Sequence, residues 1–462
     1  MVNKELVHKK IYEKYIAPTK RKRSEFIGIE VELPIVNLDK KAVDFKLVHE
    51  LTDRFMEHFD FAVSGRDDEG NINAAQNAKT GDILSFDCSY NNLELSMGKE
   101  KTLSPLYGRF CEYYNFIQDE LKKYHYTLTG MGVNPYRKYN NSIPIPNGRY
   151  RMLYHHLNSY TKYSDLPIKF HRYPDYGLFS SASQVQLDFD YDELPLAIRA
   201  YSNVEPIKAL LFNNSVLLDD YEELACCRDM FWENSTHGIN PHNVGMFDCD
   251  IDTVEDLQKY IESTSMYCLE RDGKYINFEP VPVMKYFESD SITGEYYEDG
   301  SYHKITFAPQ IEDLEYLRTF KFEDLTYRGT IEFRSVCCQP VADVMTVAAF
   351  HLGLRHRLEE LDELLRNDRV LYHHGLSATE LRRLFVRRRL PEFVEKDEVF
   401  DLAKRVLDLA KSGLMERGCG EEKFLEPLYN RIERQMCPAV NMIRELQNHI
   451  DIEDVILEYA AL

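Results

Sequence analysis

The chain of 462 residues has no apolar run long enough to span a bilayer. Its longest runs, such as VMTVAAF at 344–350, fall far below the roughly 20 residues that a membrane helix needs. The opening MVNKELVHKKIYEKY lacks the apolar core of a signal peptide. Both absences predict a cytoplasmic chain with no membrane partner. There is no CxxC pair among the ten cysteines, and a chain of this size is no small stapled scaffold, so the thiols read as reduced. No GxSxG elbow, Walker loop or Rossmann glycine fingerprint occurs, nor any internal repeat or low-complexity tract. Positive charge is in short supply: 56 Lys and Arg stand against 77 Asp and Glu, a net charge of −21. Such a chain is a poor partner for a nucleic-acid backbone. ATP remains compatible, because a local basic pocket or a bound metal dominates at short range. The cluster KRKR at 20–23 reads as a solvated basic turn into the first strand.

What is present begins with FIGIEVELPIV at 26–36. The apolar and β-branched residues predict a strand against a core, yet Glu30 and Glu32 sit in its middle and share one face. At about 4 Å and an effective dielectric near 20, two such charges repel by roughly 4 kcal/mol. Either they face water or something positive stands between them.

Helical spacing marks 4–16, 45–59, 103–124, 149–160, 193–211 and 252–264. Strands are expected at 83–86, 93–96, 127–133, 179–190 and 330–336, with turn chemistry in SYNN at 89–92. The polar stretch 64–82 reads as a hairpin or loop, 134–148 and 233–250 as loops, and 275–310 as short strands with an acidic insertion. From 343 onward the pattern is helical, with many i,i+4 charge pairs. This divides the chain into a helical arm (1–24), an α+β body (25–342) and a helical region packed on it (343–462).

Acids recur on these strands. Asp87 and Glu94 flank the SYNN turn, which brings them together, and Glu332 lies in TIEFRSV with Arg334 on the same face. Five acids on three or four strands make either one acidic face suited to a hard cation such as Mg²⁺ or the wet side of an ordinary antiparallel sheet. Arg149, Arg151, Arg228 and Arg334 have apolar or aromatic neighbours and suit phosphate or carboxylate recognition, although each taken alone reads first as an ordinary surface or ion-paired arginine. The loop His237-Gly-Ile-Asn-Pro-His242 lacks a second pair at zinc spacing and reads as a polar loop. Cys337 and Cys338 read as small buried apolar residues.

In order, these motifs resemble the glutamate–cysteine ligase family, a branch of the glutamine-synthetase-like carboxylate–amine ligases, over roughly 25–360. FIGIEVELPIV is similar to the family's first metal-binding strand, and DCSYNNLELSMG at 87–98 to its next metal segment. GVNP at 132–135 with IPIPNGRYRMLYHH at 143–156 resembles the plant and proteobacterial form. SASQVQLDFDYDE at 181–193 resembles a site-lining strand carrying Gln184 and Gln186. EPIKALLFNNS at 205–215 follows, and TIEFRSVCCQP at 330–340 resembles a late strand with a metal-binding Glu and a nearby Arg.

The resemblance implies an α+β fold: a mostly antiparallel, curved sheet flanked by helices, with a helical C-terminal third. It implies an ATP-dependent ligase that forms a γ-glutamyl amide through an acyl phosphate, from glutamate and an amine such as cysteine. Two or three Mg²⁺ ions would be held by Glu30, Glu32, Asp87, Glu94 and Glu332. Glu332 and Arg334 would serve catalysis, and Arg149, Gln184, Gln186, Arg228, His237 and Arg334 would contact ATP or substrate. A covering loop is expected from 233–250 or 285–305, in a monomer or homodimer. Two departures stand out. Cys337 occupies a place where the family usually has an Asp. The loop after Trp232 offers His237, His242 or Asn243 where the family usually supplies an Arg. They leave open a same-fold ligase with another amine or peptide acceptor, or a non-catalytic relative.

Overall fold

The computed structural model describes residues 3–219 and 223–462. In chain order come α1 (Lys4–Ile11), β1 (Ile27–Asn37), α2 (Phe45–Phe59), β2 (Ala62–Arg66), β3 (Ile72–Gln76), β4 (Ile83–Phe86) and β5 (Asn92–Glu100). α3 (Leu103–Lys122), β6 (Tyr126–Leu128), α4 (Gly148–Asn158), β7 (Ser183–Asp188), α5 (Leu194–Phe212), α6 (Arg228–Glu233) and β8 (Val244–Gly245) follow. Next are α7 (Val254–Ser263), β9 (Ser265–Arg271), β10 (Lys274–Pro282), α8 (Val283–Glu288), β11 (Ile292–Glu298), β12 (Ser301–Phe307), β13 (Phe320–Lys321), β14 (Glu323–Leu325) and β15 (Thr330–Phe333). The chain ends in α9 (Met345–Arg355), α10 (Leu358–Arg366), α11 (Ala378–Phe385), α12 (Lys396–Arg417), α13 (Glu426–Arg434), α14 (Pro438–Gln447) and α15 (Ile452–Tyr459).

β1 is the hub. It pairs antiparallel with β5 on one side and with β7, then β6, on the other, within the order β14-β15-β7-β1-β5-β4-β3-β2. Register decides which residues share a face, because directly paired residues of an antiparallel ladder project to the same side. Glu30 pairs with Ser96 and Gln184, Glu32 with Glu94, and Glu332 with Gln186 and Asp324. The intervening residues Ile29, Val31, Leu33, Leu95, Val185, Leu187, Ile331 and Phe333 form the other face. They are buried in one core with side chains of α2, α3, α5 and α9, each burial stabilising by about 1.5–3 kcal/mol. The alternation read from FIGIEVELPIV is therefore apolar toward the helices and acidic toward the opposite side.

Helices of the last third enter the same core. α9 packs on α12 at a close crossing. A Cβ on Gly353 would stand 2.2 Å from the Ala410 carbonyl oxygen, and one on Gly413 2.1 Å from that of Gly353.

Several expectations are corrected. The strand expected over 127–133 is only β6, ending at Leu128. TIEFRSV stops being a strand after Phe333, so Arg334 lies just past a strand end. Residues 275–310 contribute to a separate four-stranded antiparallel sheet in the order β12-β11-β10-β9, whose first strand lies outside the expected stretch. This sheet has its own core, into which α1 inserts Val7 and Ile11 beside Tyr286 and Phe278. Among the described residues no helix is long and apolar enough to cross a membrane.

Candidate active site

Five predicted acids meet on the polar face of the large sheet. Glu32 is buried, and its two carboxylate oxygens accept from the Ala182 backbone N–H at 2.7 Å and from Gln184 Nε2 at 2.8 Å. Gln186 Nε2 donates to Glu30 at 3.2 Å and to Glu332 at 2.6 Å. Gln184 and Gln186 therefore hold carboxylates in place. Glu94 accepts from Ser96 Oγ at 2.6 Å. Asp87 follows β4, where the Asp87 N–H donates to the Asn92 carbonyl at 3.2 Å and closes the SYNN turn. Arg334 reaches back over this face, its Nη1 donating to Glu332 Oε2 at 2.6 Å.

Charge crowding dominates the electrostatics. Burial, and then the Asp87 charge, push the Glu32 carboxyl up to about 8. Glu30 is raised well above its ordinary range by burial and by Glu332 and Glu94. Glu94 is raised by burial and Asp87, and Asp87 by burial although Arg149 opposes it. Burial opposes the Arg334 charge, but Glu332, Asp324 and Glu30 outweigh it and hold the guanidinium firmly protonated.

Asp324 is a sixth acid that the sequence did not single out. It pairs with Glu332 across β14 and β15, accepts from Thr319 Oγ1 at 2.7 Å, and is pushed up by burial to about 6. The signal available was the alternation Phe320-Lys321-Phe322 before it, which marks a strand too short to stand out by pattern.

The donor set is carboxylate oxygen, which suits a hard divalent cation, and a cation would relieve the repulsion that raises these pKa values. Among the described residues no three His, Cys, Asp or Glu side chains already converge at metal-holding distance. The set fits such an ion in donor chemistry and in charge, and closing on it requires the carboxylates to turn from their present amide and hydroxyl partners.

The remaining predicted residues lie around this row. Arg149, on the first turn of α4, is exposed and acts on Asp87 from one side and on Tyr267 and Tyr275 from the other. Arg228 is buried, donates from Nη1 to the Val336 carbonyl at 3.3 Å, and acts on Glu32 from behind the strand ends. His237 is enclosed by Phe320, Tyr267, His156 and Trp232, at ring distances of 4.2 to 5.7 Å. Burial holds its pKa far below the ordinary value, so it presents no cation to the acids. Cys337 Sγ lies 3.5 Å from Cys226 Sγ and donates to Ser215 Oγ at 3.3 Å. Among the described residues all ten cysteines are free thiols.

Two large cavities lie beside the row rather than on it. One, of about 670 Å³, opens next to Arg149 between the start of α4 and the second sheet, lined by Gly148, Arg151, Lys274, Tyr275 and Tyr297. The other, of about 680 Å³, separates residues 238–251 from α10 and α11 and touches none of the acids above.

Comparison with known proteins gives a consistent picture. The model of glutamate–cysteine ligase family 2 matches residues 26–459. A chloroplastic glutamate–cysteine ligase of Brassica juncea is 24% identical over 330 residues, covering 68% of this chain and 57% of that protein. Its counterpart in Arabidopsis thaliana is 24% identical over 332 residues, covering 68% and 56%. The chain thus matches less than two thirds of the length of these relatives. Among solved structures, a glutamate–cysteine ligase of Francisella tularensis in complex with AMP superposes with a TM-score of 0.52. The two are 14% identical, over 95% of this chain and 89% of that one, a likeness of fold.

Proposed function

The chain belongs to the glutamate–cysteine ligase family, and on that premise we propose that it joins the γ-carboxylate of glutamate to an amine, cysteine first among candidates, with ATP as co-substrate. One observation carries this reading: a row of carboxylates with perturbed pKa values, and an arginine reaching over them, on the polar face of one antiparallel sheet. Perturbed groups gathered at one place mark sites of chemistry.

ATP and glutamate are both anions and repel one another. Mg²⁺ held by Glu30, Glu32, Asp87, Glu94 and Glu332 would supply the positive charge that lets them approach. Arg334 is placed to neutralise charge on the transferring phosphoryl group. Gln184 and Gln186 orient the acids by hydrogen bonds, and Arg149 stands between the row and the 670 Å³ cavity, which we assign to the nucleotide. The β11–β12 hairpin and residues 233–250 are the segments placed to keep water from an acyl phosphate.

Purified protein incubated with Mg-ATP, glutamate and cysteine releases phosphate in step with a γ-glutamylcysteine mass. Release with another amine alone would move the acceptor assignment, and silence across a wide amine panel would refute the ligase reading.

Two further outcomes test the site. Glu32 has an ordinary value of 4.5 and about 8 in the fold, so between those values the folded chain keeps a proton the unfolded chain has lost. Metal-free stability therefore falls as pH rises through that window and is lowest above it. Mg²⁺ replaces those protons, so it raises Tm by several degrees at about pH 8.5 and hardly at about pH 5. Thermal scans with Mg²⁺ or chelator check this, and equal shifts at both pH values would argue against binding by these carboxylates. At the cavity, a Cβ on Gly148 would lie 2.6 Å from Tyr275 Cδ2. Gly148→Ala displaces that ring and raises KM for ATP by about tenfold, with KM for glutamate unchanged in steady-state kinetics.

A further inference from the structure

Ten free thiols are spread over the fold, and two of them touch. Cys226 Sγ stands 3.5 Å from Cys337 Sγ, and among the described residues no other pair of cysteine sulfurs lies within bonding reach. Weak hydrogen bonds run through the pair. Ser215 Oγ lies 3.3 Å from Cys337 Sγ and 3.4 Å from Cys226 Sγ, and Cys226 Sγ donates to Asp229 Oδ1 at 3.5 Å. Arg382 in turn grips both Asp229 oxygens. Both sulfurs are buried, and neither has a part in the reaction proposed above.

The pair sits behind one end of the acid row. Cys337 bridges Ala182 in an antiparallel pairing, flanked by the Ser183 N–H to the Val336 carbonyl at 3.1 Å and the Cys338 N–H to the Ser181 carbonyl at 3.0 Å. Ala182 is the residue whose N–H holds Glu32. Cys226 lies two residues before Arg228, whose Nη1 donates to the Ser335 and Val336 carbonyls at 3.5 and 3.3 Å. A movement of the two sulfurs toward one another is therefore passed to Glu32 and Arg228. Burial opposes a thiolate at Cys337, but the Cys226 contact, the Arg228 charge and the Ser215 contact outweigh it and lower Cys337 to about 6. The contact with Cys337, and then burial, raise Cys226 well above its ordinary value. The thiolate is the attacking form of a cysteine, so Cys337 is the sulfur that meets an oxidant first.

We propose that Cys226 and Cys337 are a modification site: a small hydroperoxide joins them in a disulfide that lowers turnover, a consequence that rests on the ligase reading above. With hydrogen peroxide, the Cys337 thiolate attacks one oxygen and breaks the O–O bond, which leaves a sulfenic acid and hydroxide. The hydroxide takes up the proton that Cys337 has lost and becomes water. Cys226 Sγ then bonds to Cys337 Sγ, and the sulfenic hydroxyl leaves with the Cys226 proton as a second water. The two sulfurs give up two electrons, which reduce the peroxide. An S–S bond is about 2.0 Å long, so closure draws the sulfurs together by about 1.5 Å. A misplacement of that size beside a reacting site costs up to about 10²-fold in rate. Burial limits the oxidant to a small molecule and shields the sulfenic acid from a second one.

The test uses hydrogen peroxide on the folded chain carrying Cys249→Ser and Cys419→Ser, which remove the two exposed thiols. One equivalent lowers the intact mass by two hydrogens, and a peptide map places the cross-link between Cys226 and Cys337. Turnover in the phosphate-release assay falls about tenfold and returns with dithiothreitol. Adding Cys226→Ser keeps the untreated turnover, abolishes the cross-link and lets dimedone trap the sulfenic acid on Cys337. An unchanged mass, or a cross-link through any other cysteine, overturns the site. A Cys226–Cys337 cross-link with turnover unchanged overturns its hold on the acid row. A protein silent in the assay before treatment counts against the ligase reading, while the mass and the peptide map still decide the site.

Discussion

Glu332→Gln lowers glutamate- and ATP-dependent turnover by about 10³-fold while Tm moves by no more than a few degrees. Glu332 is almost fully buried and sits between two donors, Gln186 Nε2 and Arg334 Nη1, each at 2.6 Å. The amide keeps the volume and one acceptor, so packing survives. It loses the charge, and its NH₂ cannot accept from Arg334 and hold a cation. Arg334 is then left without its only ion-pair partner among the described residues and drifts from the position where it would meet the phosphoryl group. Both effects act on charge that develops during transfer, so kcat falls more than KM rises. Steady-state kinetics beside circular dichroism and a thermal scan check the prediction. Turnover within about threefold of wild type would remove Glu332 from the catalytic set.

Arg382→Met destabilises the fold by about 3–5 kcal/mol, read as a lower urea midpoint, without any contact to the acid row. Arg382 extends from α11 into the body, where its Nε and Nη2 donate to the two Asp229 oxygens at 2.7 and 3.1 Å. It also pairs with Glu205 of α5, which Lys208 contacts as well. Glu205, Lys208 and Arg382 are all buried, and Glu323 lies beside them with its pKa raised by burial and by Glu205. Truncating the arginine leaves Asp229 charged in a medium that solvates it poorly, and Glu205 with Lys208 alone. Adding Asp229→Asn removes one orphaned charge and restores part of the loss. An Arg382→Met protein with an unchanged midpoint would show that this buried cluster contributes nothing net.

The family resemblance drew on short motifs whose meaning is local. Strand alternation has a period of two wherever the strand ends up, so FIGIEVELPIV announced that Glu30 and Glu32 share a face. The SYNN turn is likewise local and placed Asp87 near Glu94. Helix spacing marked α2 to the residue, because Asp44 caps it and the apolar stripe runs through Phe55. What those patterns leave undetermined is which strands become neighbours, since pairing depends on backbone hydrogen bonds between segments as far apart as Ile27 and Leu187. Only the order β15-β7-β1-β5 puts Glu332 beside Gln186 and within the field of Glu30.

Short strands held by their partners escaped detection for the same reason. β13 and β14 have two and three residues, and the pairing of β14 with β15 is what sets Asp324 beside Glu332. His237 shows the converse: its loop is polar in sequence, but tertiary packing encloses the ring among aromatics and keeps it neutral. Face alternation, helix spacing and turn chemistry were legible in the sequence because each concerns residues a few positions apart. Strand neighbours, burial and the state of each charge were decided by the tertiary structure, because each depends on what distant segments place nearby.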